Sequence, residues 1–355
     1  MDFEYEDDVD RNDLRQYSRL IKEYSFADSD IKDIFRHLIS GNENVLPHDM
    51  FAFEFRSNDI EDSRITRICK SFNSHIFRIQ FLNGNSFIIH LSSNRSFEDE
   101  IAIINAVAGV GVEVPRSYFS DPNGIEINNH SYFAMLQENI NGKSFEYAAK
   151  NNLITTGDKE MLLEEMGKRL RKIHSVTTIS GKKQQNMFPR FYEDALDLLN
   201  HQRNTIISEG ICEVEEFEDI YAKLDTLRDT AEIFGKSSFG LTHNDFHPKH
   251  VILDLEKGRP SIGAIIHWSD ANFSNTFFDF ALWDYWCGED FLVDSLMESY
   301  GMEVFSTSES KVNVELTTIA SLINLLCEHA EDVRFKATVL GVWQRLRHEV
   351  NAATY

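Results

Sequence analysis

Basic residues are in short supply: 35 Lys and Arg stand against 58 Asp and Glu, a formal net charge of −23. Nucleic-acid binding needs a basic footprint, so the balance argues against that class. It argues equally against an anionic membrane surface. It permits a cationic substrate or partner, or simply serves solubility. Cysteine is sparse too. Cys69, Cys212, Cys287 and Cys327 form no C-x-x-C pair, and no signal-like segment precedes them. Disulfide and zinc-knuckle readings are therefore weak, and a reduced, cytoplasmic protein is expected. No apolar run approaches a membrane span, and no repeat or low-complexity segment occurs beyond an acidic start. What is present is apolar content of 42% with 27 Phe in 355 residues. That composition belongs to a globular chain of one two-lobed domain or two domains.

The most informative stretch is 238–281. Val251 to Leu255 reads as a short apolar strand, Glu256 to Pro260 as a turn, and Ser261 to Trp268 as a returning strand. Ionisable groups crowd the loop before this hairpin (His243, Asp245, His247, Lys249, His250), and more follow it (His267, Asp270). A hairpin carrying such groups at one end gathers them on a rigid support. His243-Asn244-Asp245, with a metal-ligand type five residues past the Asp, has the kinase catalytic-loop pattern H-x-D-x-x-x-x-N. In that chemistry the Asp accepts the proton of the attacking hydroxyl, and the later residue helps hold the metal.

At these residues the chain resembles the aminoglycoside phosphotransferase and choline kinase superfamily. Phe277-Phe278-Asp279-Phe280-Ala281 is similar to the family's D-x-A ending, at the matching distance from the hairpin. His250 and Trp268-Ser269-Asp270-Ala271 most resemble macrolide phosphotransferases. The resemblance covers roughly residues 60–350. It implies an α+β, bilobal protein-kinase-like fold, with a small antiparallel lobe plus a helix and a larger, mostly helical lobe. The lobes it implies are a small one over 46–137 and a helical one over 138–355; an acidic N-terminal extension with helices over 1–45 has no counterpart in the family core.

Residues 64–91 alternate as three strands, with Leu82-Asn83-Gly84-Asn85 as a hairpin turn, and Ser96 to Val107 reads as a helix. By resemblance, Glu100 falls on the family's helix Glu. His90 stands where a Lys or Arg would touch the phosphates, and Asn73 lies in a nucleotide loop that has no glycine. Residues 132–142 resemble the hinge, where Gln137, Glu138 and Asn139 would take the base of ATP or GTP. Asp13 to Leu38 has helical spacing broken near Ser25 to Asp28, and Met1 to Asp10 holds six acidic residues, a candidate arm for a protein partner. Helices are expected over 159–175, 192–200, 214–231 and in four segments after Asp279. His174 is expected as a satisfied core histidine, and His243 and Asp279 as loop supports.

The resemblance implies Asp245 as catalytic base, His250, His267 and Asp270 as metal-side residues, Mg2+ or Mn2+ as the ion, and a small-molecule hydroxyl as acceptor. That acceptor could be an antibiotic. His267 departs from the family, which carries Asp there, and imidazole supplies neither the hard oxygen nor the negative charge of a carboxylate. Three readings stay open. Asp270 has taken over the metal role; or His90, His250 and His267 with Asp245 hold a softer metal; or metal and nucleotide binding are lost, leaving a pseudokinase that binds a ligand or partner.

Overall fold

The computed structural model describes residues 26–40, 57–70, 74–127, 130–179, 182–183, 188–234, 239–256, 258–287, 291, 293–305, 308–330 and 336–353. The acidic arm, the first half of the helix expected over 13–38, and the loop residue Asn73 lie outside them. The described residues fall into two compact units, one from Met1–Asn105 with Val114–Asn141 and the other from Ala106–Glu113 with Gly142–Tyr355.

The first unit is built on β1 (Arg64–Lys70), β2 (Ser74–Gln80), β3 (Ser86–Ser92), β4 (Ser117–Ile127) and β5 (His130–Glu138). They form one antiparallel sheet in the order β1-β2-β3-β5-β4. Alternation sets its inner face: Phe77 and Ile79 of β2 and Phe87, Ile89 and Leu91 of β3 are buried. Helix α1 (Asp28–Ser40) covers this core with Ile31, Ile34, Phe35 and Leu38, one stripe at helical spacing. This helix lies in the stretch set apart as an N-terminal extension, yet its apolar stripe shares the core of the sheet. A short α2 (Ser57–Glu61) precedes β1, and α3 (Glu98–Gly109) follows β3. The strand β4 was not expected. Its centre reads Asp121-Pro122-Asn123-Gly124, a turn signal, and the ladder to β5 slips there, between Asp121 and Ile125.

The second unit is mostly helical: β6 (Lys143–Ser144), α4 (Phe145–Lys150), α5 (Thr156–His174), β7 (Thr178–Ile179), β8 (Lys182–Lys183), α6 (Phe188–His201), α7 (Arg203–Ser208), α8 (Val214–Thr226), α9 (Arg228–Phe234), β9 (Phe239–Thr242), β10 (Val251–Asp254), β11 (Ser261–Ile265), β12 (Asn272–Asn275), α10 (Phe278–Cys287), α11 (Val293–Phe305), α12 (Ser308–His329) and α13 (Lys336–Ala352). Thr155 starts α5 with a capping box, exchanging hydrogen bonds with Asp158. Leu196, Leu199, Phe217, Ile319, Ile323 and Trp343 belong to its core, drawn from α6, α8, α12 and α13. Cys212, Cys287 and Cys327 are free and buried. No helix among the described residues is long and apolar enough to cross a membrane.

Candidate active site

Two strand pairings assemble the site within the second unit. β10 and β11 form the hairpin, with β6 on the other edge of β10. β9, which leads into the 243–250 loop, pairs antiparallel with β12, which follows the 266–271 segment. The two loops are thus clamped at both ends. Cross-links finish the job: the Ile266 amide donates to the His250 carbonyl (2.9 Å), and Asn244 Nδ2 donates to the Asp270 carbonyl (3.0 Å). Trp268 is buried and donates its indole N–H to the Ile265 carbonyl.

Asp279, at the start of α10, fixes the loop from beneath. It is fully buried, and its carboxylate accepts the amides of His243 (2.9 Å) and Asn244 (2.8 Å). It also accepts a hydrogen bond from His174 Nε2 at 3.0 Å, and His174 Nδ1 meets the Tyr300 hydroxyl at 3.0 Å. Burial pushes the Tyr300 phenol up to about 12, so it remains a hydroxyl. Asn244 adopts the left-handed conformation (φ 62°), which Asn tolerates better than most residues. At Gly240 on β9, any Cβ would run into the His174 carbonyl, so the strand lies directly against the end of α5. His243 is wholly enclosed. Its Nε2 donates to the Ile266 carbonyl (2.9 Å) and its Nδ1 accepts the Asp245 amide (3.3 Å). Burial holds it below the usual histidine range, and with both ring nitrogens engaged it supports the loop.

Asp245 stands at the loop tip among imidazoles. His247 Nε2 lies 3.4 Å from its Oδ1, while His250 Nδ1 (3.4 Å) and His267 Nε2 (3.5 Å) approach its Oδ2. The His250 and His267 rings stack with centroids 4.4 Å apart. Burial works against ionisation of Asp245, but the hydrogen bond from His247 and the neighbouring imidazoles outweigh it and keep the carboxyl well below the usual range. Burial, then His247 and His267, push His250 well below the ordinary histidine value, so it is neutral. Asp245, His250 and His267 each present a donor atom within 4.8 Å of the other two, a grouping that can hold a metal ion.

Asp270 lies outside this trio. Its Oδ2 is 3.8 Å from His267 Nε2 and accepts the Ser269 hydroxyl at 3.0 Å. His90 belongs to the first unit, half-buried on β3 between Ile76 and Met135, with its ring edge-on to Phe97. Glu100 is buried in the first turn of α3. Gln137 and Glu138 end β5. The Glu138 amide donates to the Arg116 carbonyl (2.8 Å), and Asn139 Nδ2 donates to Ser86 Oγ (2.8 Å). His247 is more engaged than a solvated loop residue would be, and its position two residues after Asp245 was the available signal. Tyr300 gave none, because its place depends on how α11 packs. A cavity of about 120 Å3 opens beside His247 and Lys249, with Glu146, Lys150, Cys287 and Phe291 in its wall.

Solved structures with this fold include wild-type aminoglycoside 2'-phosphotransferase-IIIa in complex with GDP, 15% identical over 89% of this chain and 98% of that one (TM-score 0.61). A microcompartment-associated aminopropanol kinase is 14% identical over 86% and 94% (TM-score 0.58). Spectinomycin phosphotransferase APH(9)-Ia with ADP and spectinomycin is 14% identical over 81% and 92% (TM-score 0.52). The fold is therefore the bilobal kinase-like one. No curated protein matches the chain in sequence. The profile of the phosphotransferase enzyme family matches residues 74–309, most of the chain and all of the loop, hairpin and Asp279 segment just described, and the chain belongs to that family.

Proposed function

We propose that the protein transfers the γ-phosphoryl group of ATP or GTP to a hydroxyl of a small molecule, with Asp245 as the base. The observation that carries this reading is the loop itself. Asp279 holds the two residues before Asp245 by their amides, and Asp245 is presented ionised at the tip. The acceptor oxygen bonds to the γ-phosphorus, the bond from that phosphorus to the β,γ-bridging oxygen breaks, and a nucleoside diphosphate leaves. The hydroxyl proton goes to an Asp245 carboxylate oxygen. Such a reaction depends mainly on positioning and electrostatics, so a weakly basic carboxylate suffices to orient the hydroxyl and collect its proton late.

By resemblance to the family, Gln137 to Asn139 would take the base, and His90 and Glu100 would serve the phosphate side. Magnesium, the ion the family implies, prefers an octahedral oxygen shell. The donors gathered here are one carboxylate and two imidazoles, which do not suit it, so the step above assigns magnesium no part. The acceptor is drawn from two hints. The acidic charge favours a cationic molecule such as an aminoglycoside, while His250 with Trp268 to Ala271 favours a macrolide. Three free, buried cysteines accord with work in a reducing cytoplasm.

A second reading has its own support. Imidazoles stand at 90 and 267, where the family carries a permanent cation and a carboxylate, as in a kinase-like protein that binds without transferring. One experiment separates the two. Thermal-shift titration with ATP and GTP, each with magnesium and with manganese, is run on wild type and Asp245→Asn, followed by mass spectrometry of an aminoglycoside and macrolide panel. A bound nucleotide at a hundred times its Kd adds about 2.7 kcal/mol of stability, so a shift is expected in both proteins. Phosphorylated product is expected from wild type, with Asp245→Asn slower by about 100-fold or more. A shift without product anywhere supports the binding reading. No shift at millimolar nucleotide overturns the transfer reading.

A further inference from the structure

Asp245, His250 and His267 are brought together by three separate devices: the Asp279 anchor, the β9–β12 pairing, and the amide of Ile266 on the His250 carbonyl. The hydrogen bonds around them sort the ring nitrogens. His250 Nδ1–H donates to the Asp245 backbone carbonyl at 2.8 Å and lies 3.4 Å from Asp245 Oδ2, so Nδ1 is committed to Asp245, and Nε2 keeps its lone pair on a ring stacked 4.4 Å from that of His267. A ring N–H given to a backbone carbonyl is the usual way a metal-binding histidine is oriented. His247 is arranged the other way round. Its Nδ1 accepts the Lys249 amide at 3.3 Å, so Nε2 carries the proton and faces Asp245 Oδ1. It orients the carboxylate and does not compete as a donor atom. The second carboxylate oxygen, Oδ2, faces His267 Nε2 at 3.5 Å. Two donors around one tetrahedral ion with bonds of 2.0–2.1 Å stand about 3.3 Å apart, so that pair already has the required separation. His267 holds its ring there from a left-handed backbone (φ 69°), a conformation uncommon in residues other than glycine.

We propose that Asp245, His250 and His267 form a site for a borderline divalent transition ion, zinc or cobalt above all, which binds without nucleotide and in preference to magnesium. Two imidazoles and one carboxylate are the donor set that such ions favour and that magnesium does not. The ion takes up the Asp245 oxygen that would otherwise receive a proton, so ion binding and the base role exclude each other. Binding needs neither nucleotide nor transfer, and its test is separate from theirs.

The test is equilibrium dialysis of the full chain against Zn2+, with and without a hundredfold excess of Mg2+, together with the visible absorption of the Co2+-loaded protein. Wild type is expected to bind one equivalent of Zn2+ that magnesium does not displace, and to give a Co2+ ligand-field spectrum. His267→Ala should lose that equivalent. His247→Ala should keep the spectrum and bind about 10- to 100-fold more weakly, as loss of an orienting partner does. His267→Asp, which restores a carboxylate, should shift preference toward magnesium. Circular dichroism confirms that each variant is folded before it is scored. Absence of a stoichiometric equivalent in wild type, or an equivalent that survives in the folded His250→Ala/His267→Ala protein, overturns the proposal.

Discussion

Asp279 shows how much one side chain can organise. It carries no exposure, and its two oxygens serve two backbone amides and one imidazole. Each buried amide left without an acceptor costs about 1–3 kcal/mol, so Asp279→Ala is expected to lose several kcal/mol by chemical denaturation. Asp279→Asn keeps one acceptor oxygen and should lose less. Equal losses for the two would show that the carboxylate does not hold the loop in this way. At this scale much was legible. The spacing from Asp245 to His250 lies within one loop, so the sequence alone could place them together. The approach of His267 to Asp245 was legible only as a pattern match, because it rests on the pairing of β9 with β12. Tyr300 was not legible at all: a tyrosine in an apolar helix reads as core until its hydroxyl is found on His174.

Among elements, the packing of α5 on α11 is a tight constraint beneath the site. Gly167 of α5 faces α11 so closely that a Cβ there would lie 2.5 Å from the Leu296 carbonyl oxygen and 2.9 Å from the Tyr300 amide. Those are backbone atoms, so the helices must part to admit it. Gly167→Ala is expected to destabilise the protein by about 1–3 kcal/mol, despite alanine's better helix propensity. It should also displace Tyr300 from His174. A thermal midpoint equal to or above that of wild type would refute the close contact. Helix and strand periodicity gave most elements, including the hairpin at Leu82 to Asn85 and the stripe of α1. The strand β4 was hidden by the Asp-Pro-Asn-Gly run at its centre, where a bulge accommodates turn residues that normally end a strand. What periodicity could not show was that α1 belongs to the core of the first sheet, since an apolar stripe does not name what covers it.

For the molecule as a whole, charge and pH enter together. Glu113 lies in the second unit. Its carbonyl accepts the Ile265 amide (2.9 Å), and its carboxylate takes a two-pronged contact from Arg169 at 2.7 and 3.2 Å. Burial opposes ionisation, but the hydrogen bond and charge of Arg169 prevail and lower the carboxyl below the usual glutamate range. A carboxylate lowered on folding stabilises the protein above its unfolded pKa, about 4.3, and that gain is lost as pH falls through the folded value. Glu113 is half exposed, so the gain is small, about 0–1 kcal/mol. Glu113→Gln should therefore melt slightly below wild type near neutral pH. The gap should close on acidification below about pH 4. A gap that is constant with pH would assign the effect to something other than ionisation. The fold of both units was legible as a resemblance, and a softer-metal site was one of three readings that the sequence left open; choosing among them needs donor orientation, which is set by tautomers that no sequence states. The anchoring of the 243–250 loop has one more consequence. Its foundation comes from α5, α10 and α11, whereas His250 and His267 flank the hairpin. The support and the ligands can therefore change independently. Single substitutions at 250 or 267 can retune the chemistry while the platform stays put, so this site behaves as a socket whose fittings are exchangeable.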